Sequence, residues 1–227
     1  MSDSWYKVDN VAKVFLATAS MRDPRVFRIS CTLQEQVDPD TLNEALRRTA
    51  QEWPQFQVTL HRGLFWHYFE STDLMPAAQP ETKAPCAPLY TPERRNRLIY
   101  RVTYFGARIN LEMFHAITDG NGGLLYLKSI VRNYLALRHP GELDSVPSPN
   151  SASAGDLAQD SFRNFYGGTR RRKAEKKTKV SRPHGFLPYD QLQFFEGHLS
   201  ARQVLDRSHA LGVSMTSYLG ACFMLAI

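Results

Sequence analysis

The chain is poor in the features that identify many protein classes at sight. Its 227 residues hold three cysteines, Cys31, Cys86 and Cys222. The number is odd and no two form a Cys-x-x-Cys pair, which excludes a disulfide framework and a cysteine zinc or redox motif. Reduced, structural thiols in a cytoplasmic protein are the expectation. The N-terminus, Met1-Ser-Asp-Ser-Trp-Tyr-Lys7, has no apolar stretch behind a basic start, so no signal peptide is expected. The longest uncharged run, Ser208 to Ile227, is broken by His209, Gly212, Ser214, Thr216 and Ser217, which argues against a transmembrane span. Phosphate-cradling glycine loops, a Gly-x-Ser-x-Gly elbow, internal repeats and heptads are all missing.

What is present points to a globular core. Apolar residues make up 43% and aromatics 11% of the chain, enough to exclude global disorder. The net charge of +6 is local. Between Arg170 and Arg182 eight lysines and arginines stand against Glu175 alone, so that segment carries +7 and the remainder −1. The run lacks interleaved aromatics for base stacking, so nucleic acid is not the expected partner. A solvated loop is the preferred reading, with attraction to the phosphates of a ligand or to an acidic protein surface as the alternative.

Hydrophobic periodicity predicts a mixed α and β chain. Val26 to Leu33 alternates like a half-buried strand. Asp38-Pro39 reads as an N-cap with proline at the first helical position, followed by Leu42, Ala45, Leu46 and Thr49 at helical spacing. Phe56 to Leu60 and Leu64 to Glu70 read as a hairpin. Met75 to Pro92, with five prolines, reads as a loop. Leu98 to Phe105 and Ala107 to Phe114 form a second hairpin turning at Gly106. Leu124, Leu127, Ile130, Val131, Tyr134 and Leu135 give a helical stripe. Pro140 to Gly155 is a connector, and Asp156 to Tyr166 a short amphipathic helix. Leu192 to Leu199 reads as a strand, and Ser200 and Ser214 as caps of two further helices, the first stopped by Gly212. The last helix has no stop signal. The chain therefore reads as a piece, or the front, of a longer protein.

The chemistry-bearing stretch is His115-Ala-Ile-Thr-Asp119-Gly120, a His-x-x-x-Asp-Gly motif between a strand and a helix. By chance its three fixed residues would occur in a chain this long on the order of a few per cent of the time. Gly122-Gly123 follow and allow close backbone approach. A histidine at a strand end, followed by a forced turn, is a candidate general base. Other candidates carry less. His61 and His67 have no cysteine or carboxylate at ligand spacing, so no metal is expected. His184 and His198 read as surface residues, and Trp53, Phe56, Phe65 and Trp66 as core. Ser151, Ser153 and Ser161 lie in polar surroundings without a nucleophile elbow.

The motif resembles the active-site signature of the CoA-dependent acyltransferase superfamily, which includes chloramphenicol acetyltransferase and condensation domains. The order of elements from Asp38-Pro39 to the helix after Gly123 resembles its N-terminal half. Trp5-Tyr-Lys-Val-Asp9-Asn10 and Gly63-Leu-Phe-Trp66 resemble the alcohol-acetyltransferase-like branch. The resemblance implies an α+β fold, a two-layer sandwich of mixed β-sheet with helices packed on it. It implies residues 1–155 as an N-terminal subdomain, 156–191 as a connector with the basic run, and 192–227 as the start of a truncated C-terminal subdomain. It further implies His115 as general base and an acyl-CoA or acyl-carrier-protein donor as co-substrate. The acceptor would be a small alcohol or amine. Asp119 would be structural, paired with an arginine, and Gly120 would permit the turn. Trp66 would be a residue able to line an acyl pocket. Peptide condensation domains carry a second histidine where this chain has Phe114, which favours a free-standing acyltransferase. The family's Asp-Phe-Gly-Trp motif is missing. A non-catalytic interaction module is the alternative, and a front half standing alone is expected to expose an apolar face and so to dimerise or be weakly soluble.

Overall fold

The computed structural model describes residues 5–21, 23–64, 66–82, 84–91, 96–143 and 197–226. The chain divides into two compact units, Met1–Arg170 and Arg171–Ile227. The first contains strands β1 (Trp5–Lys7), β2 (Val26–Thr32), β3 (Val58–Arg62), β4 (His67–Ser71), β5 (Ala78–Pro80), β6 (Tyr100–Phe105) and β7 (Arg108–Phe114). Its helices are α1 (Asn10–Thr18), α2 (Pro39–Glu52) and α3 (Gly120–Arg138).

Four strands form a mixed sheet in the order β2-β7-β6-β5. The β2, β7 and β6 pairings are antiparallel and β5 joins parallel to β6. Gly106 takes a positive φ of 56° in the two-residue β6–β7 turn, a conformation that favours glycine. The alternation of β7 then decides both faces. Ile109, Leu111 and Met113 face α2 and α3 in the main core, with Leu42, Leu46, Tyr126 and Ile130. Asn110, Glu112 and Phe114 face the other way. The two helices are tied by polar contacts as well as packing. Trp53 Nε1 donates to Ser129 Oγ (2.9 Å), and Asn133 Nδ2 donates to Thr49 Oγ1 and Glu52 Oε1 (3.0 Å each).

β1, β4 and β3 make a separate antiparallel sheet, linked to the first by the Thr59–Leu98 bridge. Val58 and Leu60 of β3 pack with Val8 and Ala12 from the N-terminal segment, and with Ile99, Phe114 and Ala116, in a second core cluster.

Glu112 is fully buried on the face of β7 opposite the helices. It accepts hydrogen bonds from Arg28 Nε (2.8 Å) and Nη2 (2.5 Å), Arg101 Nε (2.5 Å) and the Cys86 backbone N–H (2.8 Å). Glu81 extends the network to Arg28 and to Arg108 Nη2 (2.7 Å). Burial opposes charge on both partners of the Arg28–Glu81 pair. The hydrogen bonds win: those to Glu81 and Glu112 raise the Arg28 guanidinium, and those from Arg108 and Arg28 lower the Glu81 carboxyl. With Arg101 Nη2 donating to Ala84 O (3.0 Å), these charges fasten the proline-rich segment to the sheet.

Several expectations need correction. Met75 to Pro92 is not wholly loop, because Ala78–Pro80 pairs with β6; Pro80 is tolerated because β5 is an edge strand. Trp5–Lys7 is a strand, and α1 was not foreseen. The first hairpin spans Val58–Arg62 and His67–Ser71, and Phe56 lies in a 3-10 turn, Pro54–Phe56. Trp53 and Phe56 are core, but Trp66 is 57% exposed on the hairpin turn. Phe65, the helix expected at 156–166, the basic run, His184 and the serines at 151, 153 and 161 lie outside the described residues, as does most of the strand expected at 192–199. Within that strand, residues 197–199 are not in a strand, and His198 is exposed.

The second unit holds α4 (Ala201–Ala210) and α5 (Met215–Ala226). Ser200 Oγ accepts from Gln203 N and Ser214 Oγ from Ser217 N, so both serines cap as expected. Gly212, with φ of 66°, follows the end of α4. Among the described residues no single helix is long and apolar enough to cross a membrane; α4 and α5 together pass on composition but bend by 92°.

Candidate active site

His115 follows β7 directly and opens a turn that delivers the chain into α3. Three backbone bonds fix the position. Phe114 N–H donates to Ile99 O (2.9 Å), His115 N–H to Arg25 O (2.8 Å), and Ile117 N–H to Phe114 O (3.0 Å). Arg25, just before β2, holds a positive φ of 55°. That conformation costs energy in a residue with a Cβ, and strain of this kind gathers at functional sites.

The imidazole lies between two aromatic rings. Phe15 of α1 stacks on it at 4.2 Å and 8° between planes, and Phe27 of β2 meets it at 4.9 Å and 57°. Nδ1 is buried with no hydrogen-bond partner among the described residues, whereas Nε2 is not enclosed in this way. α1 is held in place by Asp9, whose Oδ1 accepts from Ala12 N (2.6 Å). Neither Phe15, Phe27 nor Arg25 was found from the sequence. Phe27 was read only as a strand-core residue, and nothing in the motif points to the other two.

Asp119 serves the helix that follows. It is the N-cap of α3, and its Oδ1 accepts from Gly122 N (2.8 Å). Its carboxylate lies at the positive end of a 19-residue helix, where negative charge is favoured. The expected arginine partner is not seen. Among the described residues no arginine lies within ion-pair distance of Asp119. The glycine requirement also moves. Gly120 has no positive φ, and a Cβ there would meet nothing within 4 Å. A Cβ on Gly122 would fall 2.0 Å from Thr118 Oγ1, and one on Gly123 would fall 2.8 Å from Phe27 Cε2. The turn and the seating of α3 on β2 thus depend on the second and third glycines.

Phe114, behind His115, is 1% exposed and stacks with Tyr90 at 6.1 Å. Tyr90 in turn meets His67 edge-on at 6.3 Å. Burial, reinforced by Arg62, holds the His67 imidazole below its ordinary pKa. His61 Nε2 contacts Thr59 Oγ1 (2.8 Å) and Glu70 Oε2 (2.9 Å) and is thereby engaged within its hairpin. Among the described residues no group of three histidines, cysteines or carboxylates is placed to hold a metal ion.

Neither protein-family models nor curated proteins match the chain. Solved structures do. A variant of the starter condensation domain of rhizomide synthetase RzmA, in complex with C8-CoA, matches over 59% of this chain and 36% of its own. Identity is 9% and the TM-score 0.50. SgcC5 from Streptomyces globisporus, in complex with a naphthyl ethanediol, matches over 67% and 40%, at 15% identity and a TM-score of 0.49. Polyketide synthase associated protein 5 from Mycobacterium tuberculosis matches over 65% and 35%, at 14% identity and a TM-score of 0.43. The likeness is one of fold. The chain is α+β and matches about one subdomain of the chloramphenicol-acetyltransferase-like condensation fold, spanning 35% to 40% of those three chains.

Proposed function

We propose that this chain is the histidine-bearing part of an acyltransferase, which moves an acyl group from a CoA or carrier-protein thioester to a small alcohol or amine. The observation that carries the reading is His115: an imidazole held by backbone bonds and two aromatic rings in a His-x-x-x-Asp-Gly turn. In this reading Nε2 takes the proton of the acceptor O–H or N–H as the acceptor attacks the thioester carbonyl. The C–S bond then breaks, and the imidazolium returns the proton to the departing thiolate. Histidine is the side chain suited to proton exchange near neutral pH. Phe114 favours a free-standing acyltransferase over a peptide-bond former, and Trp5-Tyr-Lys-Val-Asp9-Asn10 with Gly63-Leu-Phe-Trp66 favour the alcohol-acetyltransferase-like kind. Residues 1–155 would be the N-terminal subdomain, 156–191 a connector, and 192–227 the beginning of a second subdomain that completes the substrate tunnel. In this reading the reaction would run in the cytoplasm, in keeping with three cysteines at no disulfide or metal spacing.

A second reading, a partner-binding module without turnover, draws on Nδ1. A base acting through Nε2 carries its hydrogen on Nδ1, and a buried N–H without an acceptor costs about 1–3 kcal/mol. One assay separates the two. Free-thiol release from an acyl-CoA panel is measured for the longest protein containing this chain, with and without His115→Ala. The enzyme reading expects loss of roughly two to four powers of ten in rate. Equal turnover in the variant refutes it.

A further inference from the structure

Backbone bonds hold the main chain at His115, but they do not set the plane of its ring. The last torsion of a histidine side chain joins an sp³ to an sp² carbon, and its minimum is broad. Where a histidine does chemistry, a hydrogen bond to one ring nitrogen commonly sets that plane. Here a phenyl ring is placed to do so. Phe15 lies on the imidazole with centroids 4.2 Å apart and planes within 8°. Turning the imidazole about its Cβ–Cγ bond would tilt it out of parallel and forfeit the stack. Phe27 meets the ring at 57°, so it packs against the imidazole without sharing its plane.

The phenyl ring is a fixed surface because α1 is anchored. Ala12, Phe15, Leu16 and Ala19 share one face of the helix, while Val11 and Val14 are exposed. Val8 and Ala12, each 2% exposed, belong to the second core cluster, and Phe15, Leu16 and Ala19 pack against it. Phe15 O accepts from Ala19 N (2.8 Å) at the end of the helix. The same cluster contains Phe114 and Ala116, the neighbours of His115 on either side. One core thus mounts both rings, although a hundred residues separate them.

We infer that Phe15 is the positioning residue of His115: its ring fixes the imidazole plane, and α1 is thereby part of the site. The effect on turnover rests on the acyltransferase reading. The fixing of the plane does not.

Two measurements test this on Phe15→Leu, Phe15→Tyr and Leu16→Ala. In proton–carbon spectra of the chain, Phe15→Leu should move the His115 ring proton resonances downfield as the phenyl ring current is lost, and Phe15→Tyr should leave them close to their original positions. In the longest protein containing this chain, thiol release by Phe15→Leu should show kcat lowered about threefold to tenfold, the worth of one aromatic pair, with KM within about twofold. Phe15→Tyr should restore kcat. Leu16→Ala loosens α1 in the same core but keeps the ring, so it should lower the unfolding temperature and spare kcat. Unmoved resonances in Phe15→Leu overturn the inference. So does a Leu16→Ala variant as slow as Phe15→Leu, because packing of α1 and not the ring would then matter. A rate that falls in His115→Ala and not in Phe15→Leu refutes the positioning role alone. If the parent releases no thiol, the acyltransferase reading fails, and the resonances still decide whether Phe15 holds the ring.

Discussion

Gly123 is where the packing of the fold and the placement of His115 meet. A Cβ there would lie 2.8 and 3.0 Å from Phe27 Cε2 and Cζ, and 3.4 Å from Ile29 Cδ1. Unstrained carbon contacts are about 3.5–4.0 Å, so the Phe27 ring must give way by roughly 0.7 Å. The ring has little freedom, because it also meets the His115 imidazole, with centroids 4.9 Å apart. Overpacking of this kind costs about 1–3 kcal/mol. Alanine in a helix gains back about 0.8–1 kcal/mol over glycine. Gly123→Ala should therefore lose up to about 2 kcal/mol and displace the imidazole. Gly120→Ala is the control, since open space and an ordinary backbone predict a change within about 0.5 kcal/mol. Urea unfolding of both variants measures the difference, and the His115 ring proton resonances report the displaced Phe27 ring current. If Gly123→Ala matches Gly120→Ala in stability and leaves those resonances unmoved, the argument that Gly123 seats α3 against Phe27 and His115 is wrong.

Other outcomes follow from the same geometry. Asp119→Ala should cost about 1 kcal/mol through the lost N-cap, while Asp119→Asn, still a good cap, should cost little; equal losses in thermal unfolding would reveal an ion pair in place of a cap. Glu112→Gln leaves Arg28 and Arg101 facing a neutral amide in a buried network, and should destabilise by about 3 kcal/mol or more in denaturant titration. The folded Glu81 carboxyl is lowered by Arg108 and Arg28 against the opposing effect of burial. Its stabilisation is thus full above the unfolded value near 4.3 and is lost as pH falls through the folded one. Glu81→Gln should therefore flatten the decline of the urea midpoint in acid, and an unchanged slope would count against the pairing. Alkylation by iodoacetamide should reach exposed Cys222 first. Burial raises the Cys31 and Cys86 thiols, the latter with help from Glu112, and keeps them slower.

Some of this molecule is a local property of its sequence. The Gly106 hairpin, the Asp38-Pro39 cap, the stripe of α3 and the capping serines 200 and 214 were legible, because period and capping act over a few residues. The position of His115 between a strand and a helix was legible for the same reason. The rest needed distant partners. β5 exists because Ala78–Pro80 finds the free edge of β6, an encounter no local pattern encodes. α1 was missed despite its Asp9 cap, and with it Phe15, which reaches His115 from a hundred residues away. The roles of the glycines were decided by proximity: Gly120 is free to carry a side chain, and Gly123 is not, because β2 brings Phe27 against it. The sequence by itself determined which histidine to examine. Tertiary structure decided what surrounds it, since aromatic stacking, a strained Arg25 carbonyl and a buried Nδ1 are contacts between segments that the chain keeps far apart.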